Sequence, residues 1–463
     1  MNTPFYDKSS VESIYDFAKK IIGKNLTQAA PLPSDVVNSR NRGDLGKLVE
    51  IYYFEHNPPN NHEPDFDEAG LELKTTGIMD YKKPTQYGEV IKAKERLVLT
   101  SINYRTIEFE EWETSTLIHK CNLMLILLYQ YDNSVPVIEQ YFVLRPLLIS
   151  IIQNKLSQSP SELEFIAKNS LQISEADLQT IKRDWELIRQ KIVDNKAHEL
   201  SEGDTFYLGA CRKGAGGEKE ALRKQSGSEI GAKSRAFSVK QSFLTKLVQG
   251  HSKKETSLGV GKELTFEEAT ESKFAPFIGL SEKEISTELD YFTESKSRKW
   301  LLATRILARS GQKIEEFEKA GILLKTVSLS KFGKSRENMS FPAFKCNELA
   351  SQDWENSDFS YQIENKFLFV VFKEDENGED RLLKVLYWNM PYQDRLEAMR
   401  VWEEAKRRVM INARDLPRTS ESKVAHVRPH AKNKKDVDLT PQGELIVKRC
   451  FWLNGSYIAD VVR

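Results

Sequence analysis

The sequence predicts an α/β protein made of two tandem copies of one unit, each a mixed sheet flanked by helices, and three observations point there. Segments in which apolar and polar residues alternate with period two are interleaved with segments of helical spacing. The chain has 463 residues, more than one hydrophobic core ordinarily supports. Three motifs of the amino-terminal half also recur in the same order in the carboxy-terminal half.

Residues 9–30 carry Val11, Ile14, Phe17, Ile21 and Ile22 at helical spacing behind Ser10, a capping residue, and predict a helix. A second helix is predicted over 41–54, ending at the loop Asn57-Pro-Pro-Asn-Asn-His62. Strands are predicted at 71–75, 96–103, 123–129 and 137–144, and a long amphipathic helix over 174–195 with Ser174 as its cap. A glycine-rich basic stretch follows at 210–236. Residues 251–264 lack periodicity and read as a linker, which divides the chain into domains 1–250 and 265–463.

Formal net charge is zero, so only a local basic patch can argue for nucleic acid. Such a patch exists at 212–254, where eleven Lys and Arg stand against three Glu. The cysteines, 121, 211, 346 and 450, are widely spaced and form no CxxC pair, which argues against a disulfide framework or zinc site and for a reducing cytoplasm. The longest apolar run, 123–129, is too short to cross a bilayer, so no membrane association is expected.

The recurrence is specific. Asp65-Phe-Asp-Glu-Ala-Gly-Leu-Glu-Leu-Lys-Thr75 returns 251 positions later as Glu316-Phe-Glu-Lys-Ala-Gly-Ile-Leu-Leu-Lys-Thr326, Trp112-Glu-Thr-Ser115 as Trp354-Glu-Asn-Ser357, and Ile21-Ile-Gly23 as Phe277-Ile-Gly279. On a strand, Glu72 and Lys74 share one face while Leu71 and Leu73 point into a core. Asp65 can bring a second carboxylate to the same place, and two hard oxygen ligands beside a lysine suit Mg²⁺ and phosphodiester cleavage. A strand edge of alternating charge is the other reading of the same residues. The second copy has Leu323 where the first has Glu72; a leucine cannot ligate a metal, so one active and one inert copy are expected.

In sequence order, Asn41-Arg-Gly-Asp-Leu-Gly-Lys-Leu-Val-Glu50, residues 65–75, Trp112-Glu-Thr-Ser-Thr-Leu-Ile-His-Lys120 and Asp184-Trp-Glu186 resemble the MutH mismatch-repair endonuclease family. The duplicated architecture more closely resembles the two-domain, GATC-cutting type II restriction endonucleases of the Sau-three-A kind, related to MutH, with similarity over essentially the whole chain. That resemblance implies two tandem restriction-endonuclease-like PD-(D/E)XK domains, with double-stranded DNA in a cleft between lobes. It implies Asp65, Glu72 and a supporting Glu50 as ligands of Mg²⁺, and Lys74 and Lys120 as catalytic lysines. From the residues alone, Glu50 reads first as a solvated helix acid and Lys120 as the exposed end of an apolar strand.

The basic stretch supplies the candidate DNA contacts Arg212, Lys213, Lys233, Arg235 and Lys240, with glycines 214, 216 and 217 allowing close backbone approach. Lys213 matches a family lysine that reaches the bases, whereas Cys211 stands where the family has an arginine, and Ser238 where MutH has an aromatic residue. In the second copy Arg428, His430 and Lys432 take the place of the Lys213 loop, which implies a site for an effector copy of the target. The expected activity is Mg²⁺-dependent cleavage of duplex GATC, 5′ of the G with a four-base 5′ overhang. A homodimer on DNA and a cognate DNA methyltransferase are the expected partners. A MutH-like strand-nicking repair endonuclease and a non-cleaving GATC-binding regulator are the competing readings.

Overall fold

A computed structural model of the chain describes residues 6–38, 45–57, 63–81, 90–213, 222–250, 255–261, 264–308 and 312–463. The motif residues Asn41 to Asp44, most of the 57–62 loop, the glycines 214, 216 and 217, and part of the 251–264 segment lie outside the described residues.

The first half is organised on a mixed sheet in the order β2-β1-β4-β5-β6, with β1 at Glu72–Asp80, β2 at Ile91–Ala93, β4 at Leu123–Gln130, β5 at Leu147–Ser150 and β6 at Ser170–Gln172. β1 runs parallel to β4, pairing Glu72 with Met124 and Lys74 with Ile126, while β4 and β5 are antiparallel. A second, antiparallel sheet joins β3 (Leu97–Ser101), β8 (Arg235–Val239) and β7 (Leu208–Arg212). The short strands β9 (Glu255–Thr256) and β10 (Lys313–Ile314) pair in parallel at the junction of the halves.

The second half repeats both sheets. β11 (Leu323–Leu329) runs parallel to β13 (Phe367–Glu374), which pairs antiparallel with β14 (Asp380–Trp388), the relation of β1, β4 and β5. β12 (Met339–Ser340), β18 (Arg449–Leu453) and β15 (Ala425–Pro429) form the counterpart of the antiparallel sheet. A hairpin of β16 (Val437–Leu439) and β17 (Leu445–Val447) is added beside it.

Period-two alternation decides which core each strand serves. Leu123, Leu125 and Leu127 of β4 join the outer core of the first half, and Met124, Ile126 and Leu128 a central one. β13 divides likewise: Phe367, Phe369 and Val371 face the outer core of the second half, and Leu368, Val370 and Phe372 the central one. The central core is therefore continuous across both halves, and Phe206 of the first stacks on Phe266 of the second at 3.9 Å between ring centres. Residues 255–261 take part: Leu258 and Val260 are buried in it.

The long helix appears as Glu175–Val193 with Ser174 accepting from Asp177 N. The predicted 9–30 helix is broken, running over Val11–Ala18 under the Ser10 cap and resuming at Leu26–Ala29 after Gly23 turns the chain at φ +80°. The strand predicted at 137–144 is absent: Val137–Glu139 is a 3₁₀ turn, and only Phe142 bridges to Tyr129. The buried Gln140 amide donates to the carbonyls of Asp132 and Val135 and so folds this segment as a loop. Among the described residues no helix is long and apolar enough to cross a membrane.

Candidate active site and nucleic-acid interface

A hairpin brings together two carboxylates that the sequence separates by seven positions. Phe66 N donates to Leu71 O at 2.9 Å and Leu71 N to Phe66 O at 3.1 Å. Gly70 closes the turn at φ +60°, where an L side chain is strained. Asp65 and Glu72 thus stand side by side: Asp65 N donates to Glu72 Oε2 at 3.0 Å, and Leu73 N to Asp65 Oδ2 at 2.9 Å. Glu72 is 1% exposed and Asp65 6%. Lys74, on the same face of β1 as Glu72, places Nζ 2.6 Å from Glu72 Oε1. Lys120 comes from the last turn of the helix Thr116–Cys121, not from the end of a strand; its Nζ lies 3.4 Å from Glu72 Oε2 and donates to the Glu63 carbonyl at 2.7 Å.

Burial raises the Glu72 carboxyl above the usual glutamate range; Lys74 opposes the rise and the neighbouring Asp65 charge adds to it. Burial disfavours the Lys74 ammonium, but Glu72, with Cys121 and Asp65 adding to it, leaves Lys74 above the ordinary lysine value. Two buried carboxylates that crowd each other are the donor set of a divalent cation, which relieves both at once, so the residues present fit such an ion. Glu50 lies on a separate element, the π-helical turn Val49–Tyr53. Among the described residues no three His, Cys, Asp or Glu gather closely enough to enclose an ion, and the hairpin itself brings together the pair Asp65 and Glu72.

A cleft of about 1000 Å³ opens beside Lys74, lined from the first half by Lys94, Arg96 and Arg212 and from the second by Leu323, Tyr361 and Glu364. Of the expected DNA contacts, Lys213 is exposed, with Nζ on Ser101 Oγ at 2.5 Å. Arg212 is ion-paired across the cleft with Glu364 at 2.6 Å and lies 3.7 Å from Glu355, which also pairs with Lys233. Arg235 and Lys240 depart from expectation. Their side chains are buried and tie the backbone together, Arg235 donating to the carbonyls of Ala210 and Leu200, and Lys240 to that of Thr205. Burial, partly offset by Asp184, brings the Lys240 amine down to about 8. In this arrangement both head groups are engaged by backbone carbonyls.

Glu355 and Glu364 were not singled out from the sequence. A local basic excess in a neutral chain requires acids elsewhere without saying which, although Glu355 does sit in the recurring Trp-Glu-x-Ser motif.

In the second half Arg428, His430 and Lys432 are exposed at and beyond the end of β15. Arg428 and His430 flank Trp452, with the guanidinium carbon 5.7 Å and the imidazole centre 5.3 Å from the indole ring centre, over a pocket of about 460 Å³. The matching positions of the second half carry different groups. Leu323 replaces Glu72, and Glu316, at the position of Asp65, accepts from Leu258 N at 2.8 Å and Ser257 Oγ at 2.6 Å. Lys120 stands eight positions after Trp112, and Gln362 stands eight after Trp354.

The family model described as "DNA mismatch repair enzyme MutH" matches the chain over residues 54–159 and again over 307–400, once in each half. The chain is 30% identical to the type II restriction enzyme Sau3AI of Staphylococcus aureus, over 97% of this chain and 98% of that one. It is 25% identical to the DNA mismatch repair protein MutH of Shewanella woodyi, over 46% of this chain and 80% of the relative, and 23% identical to that of Pasteurella multocida, over 35% and 77%.

Proposed function

The chain belongs to the family of the type II restriction enzyme Sau3AI, an endonuclease family with the MutH nuclease fold, and on that premise we propose that it cuts double-stranded DNA at GATC with Mg²⁺. The cut falls 5′ of the G and leaves four-base 5′ overhangs. The observation that carries the reading is the buried pair Asp65 and Glu72 with both lysines on the Glu72 oxygens.

A divalent ion held by Asp65 and Glu72 would supply Lewis acidity at the scissile phosphate. Lys74 shares that face of β1, where its ammonium orients the attacking water and neutralises charge growing on the phosphate. Lys120, held by the Glu63 carbonyl, braces Glu72 from the other side. No side-chain nucleophile is required. Lys213 and, once released from Glu364, Arg212 hold the duplex over these groups. Arg428, His430 and Lys432 bind an effector copy of the site. One catalytic site per chain and two strands to cut support a homodimer on DNA, and a cognate methyltransferase protects the host's own sites.

The test is digestion of unmethylated and adenine-methylated plasmid by the purified protein with Mg²⁺, with the ends sequenced. Double-strand cuts at every unmodified GATC are expected. Nicks alone, or inertness until a second protein is added, would replace this reading with strand-nicking repair.

A further inference from the structure

His56 joins the turn that carries Glu50 to the backbone of Asp65. The π-helical turn that carries Glu50 ends at Tyr53 with Phe54 as its cap, after which Glu55 takes the left-handed conformation, φ +48°, uncommon for a residue with a side chain. That residue turns the chain back on itself. His56 N then donates to the Glu50 carbonyl at 2.9 Å, while the imidazole Nε2 meets the Asp65 carbonyl. A carbonyl oxygen only accepts, so Nε2 carries the proton. The ring stacks on Phe66 at 4.8 Å with 23° between planes. Tyr6 Oη donating to Phe54 O and Lys8 Nζ donating to Glu55 O, each at 2.6 Å, strap the turn from outside. An unfavourable backbone conformation persists where its surroundings over-determine it, and such sites cluster around chemistry.

Asp65 is consequently held at three points: its N–H by Glu72, its carboxylate by Leu73 N, and its carbonyl by His56. Only the last reaches it from outside the hairpin. We propose that His56 is a positioning residue that ties the Asp65 backbone to the Glu50 turn and thereby fixes how tightly Asp65 and Glu72 hold a divalent cation. This rests on reading that pair as the ion site. Groups that orient ligating carboxylates typically weigh about 10- to 100-fold in metal affinity.

The test is titration of the full-length protein with Mn²⁺, bound and free ion being distinguished by electron paramagnetic resonance, alongside thermal melting. His56→Phe keeps the stack on Phe66 and removes the hydrogen bond; it is expected to weaken Mn²⁺ binding by about 10-fold or more with an unchanged melting temperature. His56→Gln, which restores a donor of similar reach, is expected to recover most of the affinity. Wild-type affinity in His56→Phe, or equal losses in both variants, would overturn the proposal. Should His56→Phe not fold, His56→Asn against His56→Gln decides, since only the longer amide reaches Asp65. Asp65→Asn serves as the control: if it too leaves Mn²⁺ binding unchanged, the ion-site reading itself has failed, and not the role of His56.

Discussion

Trp112 meets Trp185 at 5.8 Å and 63°, and Trp354 meets Trp402 at 5.7 Å and 61°. Ser115 and Ser357 each donate to the carbonyl of their tryptophan at 2.8 Å and each cap the helix that follows. Gly23 and Gly279 turn the chain at φ +80° and +84°, and each is followed by a helix closed by a reciprocal capping box, at Asn25 and Ser281. Yet the helix after Ser115 delivers Lys120 to a buried glutamate, and the helix after Ser357 has Gln362 at the matching position. The scaffold repeats because packing and capping are satisfied locally in each half. The set of acids and lysines does not, because a few side chains can change while packing stays intact.

The largest effect should separate the two strand lysines. Lys74→Ala is expected to slow single-turnover cleavage by about a thousandfold or more with DNA affinity little changed, while Lys325→Ala leaves cleavage as it was. Comparable losses in both would place chemistry in each half.

Lys319 of the second half pairs with Asp177 of the first at 2.7 Å, both nearly enclosed. Lys319→Ala would strand a buried carboxylate and is expected to cost about 3–5 kcal/mol in denaturant unfolding, a loss no exposed pair could give. An unfolding curve like that of the wild type would mean that the halves do not rely on this tie.

The acids of the second half that hold Arg212 and Lys233 give a smaller effect. Glu355→Gln with Glu364→Gln should tighten duplex binding at low salt by about three- to tenfold, a gain of up to about 1.4 kcal/mol. Unchanged affinity would show that those basic groups do not reach DNA. Smallest of all is Leu323→Glu in the Lys74→Ala background: no cleavage should return, because Glu316 remains bonded to residues 257–259.

What could be read from the sequence follows the same divide. Ser10 and Ser174 as caps and the Glu72 and Lys74 face depend on neighbours a few positions away, and each is found as expected. Arg235 and Lys240 read as DNA contacts because charge in a basic stretch ordinarily faces solvent; their burial is set by carbonyls at 200, 205 and 210 on other elements. The 137–144 segment has strand-like composition, but the Gln140 side chain satisfies the loop's own backbone. The approach of Asp65 to Glu72 was legible as a spacing, whereas the hairpin that enforces it depends on Gly70 at a positive φ.

The most direct test of one live and one silent copy is Glu72→Gln in the full-length protein, with both strands of a GATC-containing duplex followed under single-turnover conditions and binding measured in parallel. The account predicts that neither strand is cut while the duplex is still bound; residual cleavage of even one strand would place a working site in the second half and contradict it.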